Sequence, residues 1–232
     1  MIITTEIKKK FENFKLQYQS LYSEEAWQYI EENFFKGLEE NDAPDILMQI
    51  YSFLDIKPSP ARFYHRHLKL LKNLFPINGN IIDIGSGMIP AFGTLVAAEQ
   101  RKIGAGTITL YDPLLLDMAP KYPNMILQKQ TFSSDTDISS YDLVTGIMPC
   151  EATESILNAA IKNRKDFYVA MCGCVHSPLD YFYGFYGTSP ELYQRMVIED
   201  TKALLKEYDN GTLVVTNLKN TELNYPILYN RR

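Results

Sequence analysis

Two periods divide the chain. Over residues 4–76 apolar side chains recur every third or fourth position, as Ile7, Phe11, Phe14, Tyr18 and Leu21 and then Trp27, Ile30, Phe34 and Leu38. That spacing predicts amphipathic helices. Ser23 before Glu24-Glu25 predicts an N-cap, Pro44 marks a third helix start, and Ser59-Pro60 opens a fourth that runs to about Phe75. The Asn78-Gly79 turn closes this helical lead region. From Asn80 onward short apolar runs alternate with helical spacing. Strands are predicted at 80–85, 106–111, 125–129, 141–147 and 166–172, and helices at 90–102, 113–120, 151–163 and about 189–208. Such alternation predicts an α/β fold, a doubly wound and mostly parallel sheet. Two apolar segments, Thr212 to Leu218 and Leu223 to Tyr229, are joined only by Lys219-Asn220-Thr221-Glu222. A parallel crossover needs a dozen or more residues, so this pair predicts a C-terminal antiparallel hairpin. The expected division is a small helical lead or cap domain at 1–76 and an α/β domain at 77–232.

The first strand runs into Asp83-Ile84-Gly85-Ser86-Gly87, and about 20 residues on the second ends at Tyr111-Asp112. Glycines 85 and 87 let the backbone turn without a Cβ in a ligand's path. Asp112 then stands where a carboxylate can accept both ribose hydroxyls, unless it serves only to cap a helix starting near Pro113. The pair predicts an adenosine-containing cofactor. Pro90 narrows the choice, because a pyrophosphate turn needs a third glycine and free N–H groups there, and proline has no N–H. A ligand with a sulfonium and an amino acid end makes no such demand.

On these residues the chain resembles the class I, Rossmann-like S-adenosylmethionine-dependent methyltransferases, whose first motif reads Asp-x-Gly-x-Gly and whose second strand ends in an acid. The resemblance covers roughly residues 60 to 230 and implies S-adenosyl-L-methionine as cofactor. It implies that Asp83 orders the turn, that Gly85, Ser86 and Gly87 approach the methionine part, and that Asp112 with Pro113 meets the ribose. Thr131 or Gln130 would then bond the adenine amino group and Phe132 stack on the ring. Met148, after the fourth strand, falls where such enzymes place residues beside the transferring methyl. The sequence there is not Asn-Pro-Pro-Tyr, which counts against amino-methylation of adenine or glutamine by the usual route. Pro149-Cys150-Glu151-Ala152-Thr153-Glu154 is similar to a Pro-Cys-x-Ala-Thr-Asp element of a little-characterised branch of these enzymes, and Ala170-Met171-Cys172-Gly173-Cys174 resembles that branch's fifth strand. Glu151, His176 and Tyr183 are the candidate catalytic groups; Glu151 and Glu154 also suit a helix N-terminus as favourable charge.

Composition bounds the rest. A chain of 232 residues with 46% hydrophobic and 22% charged residues can bury a sizeable core, and its net charge of -5 argues against a surface built mainly to grip nucleic acid. No DNA-binding signature, apolar run of membrane length or signal peptide occurs, and three cysteines make no disulfide framework, so a reducing cytoplasm is expected. Cys150, Cys172, Cys174 and His176 come at the ends of neighbouring strands, but Cys-x-Cys with one further cysteine is a weak metal signal, and no metal is expected. Asp180 to Gly187 holds five aromatics and two glycines, the composition of a lid over an acceptor or of a loop packed on the lead helices. The acceptor is left as a small molecule or RNA. Ser59-Pro60-Ala61-Arg62 faintly resembles ribosomal RNA methyltransferases that confer aminoglycoside resistance. Two alternatives stand beside methyl transfer: aminocarboxypropyl transfer, since Gly-Ser-Gly-x-x-Pro behind helices resembles nicotianamine synthases, and a non-catalytic binding module on the same fold.

Overall fold

The computed structural model describes residues 3–40, 45–56, 62–172, 190–218 and 225–231. Helices α1 (Thr5–Tyr18), α2 (Glu24–Glu40) and α3 (Asp45–Phe53) lead, with the capping expected: Ser23 Oγ accepts the Ala26 N–H at 3.2 Å. Their apolar stripes meet in an aromatic core, where Phe11 stacks on Phe34 and Phe14 packs against Tyr18, Trp27 and Phe53. Ile89, from the glycine turn of the α/β part, is fully buried in that same core. Helix α4 (Arg62–Leu74) instead packs its buried face, Phe63, Tyr64, Leu68 and Leu71, against one face of the sheet. Within it His67 Nδ1 lies 2.7 Å from the Tyr168 hydroxyl, and burial holds this imidazole neutral, its pKa pushed down to about 3.

The sheet has seven strands in the order β3-β2-β1-β4-β5-β7-β6, comprising β1 (Asn80–Ile84), β2 (Thr107–Tyr111), β3 (Met125–Gln128), β4 (Leu143–Ile147), β5 (Asp166–Ala170), β6 (Val214–Thr216) and β7 (Ile227–Asn230). The first five run parallel, and β7 inserts antiparallel between β5 and β6. The expected hairpin therefore forms, its later strand lying inside its earlier one; residues 219–222 lie outside the described residues. Helices α5 (Ala91–Ile103), α6 (Thr153–Lys162) and α7 (Pro190–Glu207) complete the layers. Side chains alternate along the strands, Ile81 to one cluster and Ile82 and Ile84 to the other, which is why the strands read as unbroken apolar runs.

One expected element is absent. No helix forms over 113–120; the stretch is a series of turns. Asp112 Oδ1 accepts the Leu114 N–H at 2.8 Å and the Met88 carbonyl accepts the Leu116 N–H at 3.1 Å, so bonds to the side chain and to the glycine turn replace the helical ladder. Leu115 is buried, Leu116 and Met118 pack on the aromatic core, and Leu114 is left 66% exposed.

Candidate functional site

A cavity of about 830 Å³ opens beyond the carboxyl ends of the strands, within the range of about 300–1,000 Å³ usual for small-molecule sites. The switch of chain direction between β1 and its two neighbours puts it there: β2 lies to one side of β1 and β4 to the other. Asp83, Gly85, Ser86, Gly87, Asp112, Pro113, Thr131, Phe132, Met148 and Glu151 all line it. His176 and Tyr183, and with them the expected lid and Cys174, lie outside the described residues.

The glycine turn takes its shape from positive φ at Gly85 (70°) and Gly87 (79°). A Cβ at Gly85 would stand 2.7 Å from the Pro149 Cα, so the turns after β1 and β4 touch backbone to backbone there. The close helix–strand contact that a third glycine gives in dinucleotide turns is made instead three residues beyond Pro90. At Gly93 a Cβ would fall 2.0 Å from Leu110 Cδ2, so a side chain there would require Leu110 to shift on β2. Pro90 itself is the N-cap residue, its carbonyl accepting the Thr94 N–H.

The amides of this turn are committed within the protein. Gly85 and Ser86 N–H groups donate to the Tyr111 carbonyl (2.8 and 3.4 Å), Gly87 N–H to Asp112 Oδ2 (2.8 Å), Ile89 N–H to Gln49 Oε1 (3.3 Å) and Ala91 N–H to the Ile89 carbonyl (2.7 Å). A diphosphate would compete with every one of these bonds. Asp112 thus ties the end of β2 to the glycine turn, through Gly87, and to its own loop, through Leu114. A carboxylate has about four lone-pair sites, so two remain for a ligand.

Asp83 is buried at the cavity floor. Its Oδ1 accepts the Thr145 hydroxyl at 2.9 Å, while Oδ2 is buried with no hydrogen-bond partner among the described residues, as is the Ser86 hydroxyl. Burial pushes the Asp83 carboxyl up to about 7; the Thr145 hydrogen bond opposes this and the charge of Asp112 adds to it. On the β4 side Met148 and Cys150 are both left-handed (φ 53° and 48°) around Pro149, an uncommon conformation for residues with a Cβ. Both acids of the Pro-Cys-Glu element stand in first helical turns, Glu151 in a short 3₁₀ turn and Glu154 in α6. Burial and then Asp200 raise the Glu154 carboxyl.

Phe132 is both core and wall: it is buried, edge-on to Tyr111 at 5.9 Å, and lines the cavity beside Thr131. Gln130 does not line it; its amide donates to the Tyr111 hydroxyl at 2.8 Å and to Gln128. Sequence reasoning missed Gln49 on α3 and Tyr64 on α4, which reach the cavity from the helical lead region, and Tyr225 just before β7. Cys150 and Cys172 also line it. Among the described residues no three His, Cys, Asp or Glu side chains gather as a metal site, and no helix is long and apolar enough to cross a membrane.

By sheet order, and by the edge on which the cavity opens, this is the class I methyltransferase fold. The chain is similar to precorrin-6y C5,15-methyltransferase from Geobacter metallireducens GS-15, at 13% identity and a TM-score of 0.38 over 72% of this chain and 86% of that one. It is similar to coclaurine N-methyltransferase bound to N-methylheliamine and SAH, at 11% identity and a TM-score of 0.41 over 92% and 79% of the two chains. It is also similar to human N-acetylserotonin methyltransferase in complex with SAM, at 14% identity and a TM-score of 0.45 over 93% and 61%. No protein-family model matches the chain, and no curated protein matches it in sequence.

Proposed function

We propose that the protein is an S-adenosylmethionine-dependent methyltransferase. The observation that carries this is the electrostatics of the cavity. Asp83, Asp112 and Glu151 line it, and no Lys, Arg or His does so among the described residues. Five turn amides are already bonded internally. An anionic dinucleotide meets three acids and occupied donors, whereas a sulfonium with an ammonium group meets complementary charge. The residues also fit the cofactor in detail. Asp112 has lone pairs for the ribose hydroxyls, and Phe132 and Thr131 flank the adenine position. Asp83 Oδ2 and Ser86 Oγ, buried and without a partner among the described residues, are ready partners for an ammonium and a carboxylate.

S-adenosylmethionine supplies an activated methyl on a positive sulfur. The chain's own contribution is alignment and exclusion of water. Asp112 would hold the ribose and Asp83 the amino acid end of the cofactor, with Met148 and Pro149 lining the same cavity. Alignment of this kind is worth about 7–11 kcal/mol of barrier, so a dedicated base is not compulsory.

Titration calorimetry tests the reading: S-adenosylmethionine and S-adenosylhomocysteine give heat with the wild-type protein, and NAD gives none. Binding of NAD in preference, or no heat with either sulfur nucleoside, overturns it. Product analysis separates the two transfers the cofactor permits, since S-adenosylhomocysteine marks methyl transfer and methylthioadenosine marks aminocarboxypropyl transfer.

A further inference from the structure

The helical lead region reaches the glycine turn through Gln49. Helix α3 carries buried Leu47, Met48, Ile50, Tyr51 and Phe53, and Gln49 stands half-buried among them. A polar amide in such a place costs free energy unless its atoms are used. Gln49 Oε1 accepts the Ile89 N–H at 3.3 Å, and because that partner can only donate, the oxygen must face it and the amide nitrogen must face elsewhere. The nitrogen lies over the turn: a Cβ at Gly87 would stand 3.0 Å from Gln49 Nε2. Among the described residues no hydrogen bond takes up that Nε2, and Gln49 lines the cavity. Its helix is well anchored. The Tyr51 hydroxyl donates to the Phe34 carbonyl at 2.6 Å, and Ile89, the residue that Gln49 holds, is fully buried in the same aromatic core as Tyr51.

Resting on the methyltransferase reading, we infer that Gln49 is a positioning and specificity residue for the cofactor, its amide nitrogen donating to the carboxylate at the amino acid end. The backbone leaves this task to side chains. The Gly85, Ser86, Gly87 and Ile89 N–H groups are bonded within the protein, so these amides are not free to hold a carboxylate. Two side-chain donors stand at consecutive positions of the turn instead: Ser86 Oγ, and Gln49 Nε2 above Gly87. A carboxylate has about four lone-pair sites and can accept both. Gly87 acquires a second reason to lack a Cβ, since a side chain there would fill the space between the turn and the Gln49 amide. The lead region is then half of the cofactor site, not a separate cap. Its α3 supplies one hydrogen bond that shapes the turn and another that holds the ligand the turn receives.

Calorimetry with two ligands tests the assignment. S-adenosylhomocysteine and its decarboxylated analogue, S-adenosyl-3-thiopropylamine, share the nucleoside, the sulfur and the amine and differ only in the carboxylate. Both are titrated into the full wild-type chain and into Gln49→Glu and Gln49→Met at pH 8, well above the ordinary carboxylate range. The wild type binds S-adenosylhomocysteine about tenfold or more tightly than the analogue, the worth of a hydrogen bond to a charged group. Gln49→Glu keeps an oxygen for the Ile89 N–H but replaces the donor with a like charge. It weakens S-adenosylhomocysteine about 30-fold, leaves the analogue within about threefold and so abolishes or inverts the preference. Gln49→Met fills the same volume with neither amide atom and narrows the preference about fivefold, whatever the lost Ile89 bond does to both ligands together. A wild type that does not distinguish the two ligands, equal weakening of both by Gln49→Glu, or a preference unchanged in either variant overturns the inference alone, because Gln49 would then only support the turn. A wild-type chain that binds neither S-adenosylhomocysteine nor S-adenosylmethionine removes the methyltransferase reading itself.

Discussion

The turns after β1 and β4 meet beside the cavity and are built in opposite ways. The β1 turn places glycine at each of its positive-φ positions, Gly85 and Gly87, and closes its amides on Tyr111, Asp112 and Gln49. The β4 turn places Met148 and Cys150 at positive φ, where a Cβ costs about 1–2 kcal/mol per residue. Its bonds include Met148 N–H to the Ala170 carbonyl, Ala152 N–H to the Pro149 carbonyl, the Cys150 thiol to the Met148 carbonyl, and the Thr153 N–H and hydroxyl to the Cys150 carbonyl. The first turn is relaxed and preorganised, as a holding site must be. The second holds two residues with a Cβ in left-handed backbone where Met148, Pro149 and Cys150 line the cavity.

The two meet at Gly85, and the largest expected effect is there. Gly85→Ala puts a Cβ into left-handed backbone and 2.7 Å from the Pro149 Cα, neither of which is a flexible side chain. A loss of about 3–5 kcal/mol of stability follows from backbone strain plus overpacking, read from urea unfolding midpoints. A loss under about 1 kcal/mol would mean that the turns are not rigidly in contact.

Next is Asp112→Ala, which frees the Gly87 and Leu114 amides and removes the ribose acceptor. Cofactor affinity falls about 100-fold by calorimetry, about the worth of one or two charged hydrogen bonds. Asp112→Asn recovers part of it, because an amide oxygen still accepts.

The third effect is in pH. The native Asp83 carboxyl titrates near 7, above its usual 3.8, so a cationic ligand binds better as the group ionises. Affinity for S-adenosylmethionine rises about tenfold from pH 6 to pH 8, with a proton released on binding at the acid end. Asp83→Asn flattens the profile; an unchanged profile in that variant would show that Asp83 is not the group that senses the ligand. The sign for folding is opposite. The native state binds the extra proton between about pH 4 and 7, so stability falls as pH rises through that window and levels off above it.

The smallest effect tests the strained turn alone. Cys150→Gly removes the Cβ from a left-handed residue, worth about 1 kcal/mol of strain, and with it the thiol hydrogen bond to the Met148 carbonyl, so the net gain in stability by thermal unfolding is under about 1 kcal/mol. No gain would place the φ of 48° among tolerated conformations.

The sequence carried much of this in local signals. The period-3.6 stripe of α1 and α2, the apolar runs of β1 to β5 and the short link before β7 each name their element, because burial and loop length constrain them residue by residue. Helix 113–120 was misread since Pro113 and three leucines fit a helix start, while the bond that wins, Leu116 to the Met88 carbonyl, joins residues far apart in the chain. Asp83, Gly85, Gly87 and Asp112 were legible because a turn after a buried strand and an acid after the next need particular residue types. Gly93 carried a readable signal, a glycine inside a helix, whose meaning depended on Leu110 lying beneath it.

What the chain determines by itself is therefore the alternation of strand and helix, the turn after β1 and the acid opposite it, since each follows from backbone geometry within a few residues. Only the tertiary structure brings Gln49, Tyr64 and Tyr225 to one cavity with Asp83, Asp112 and Glu151. Those neighbours come from three segments with no periodic relation to one another, so no local pattern along the chain names them.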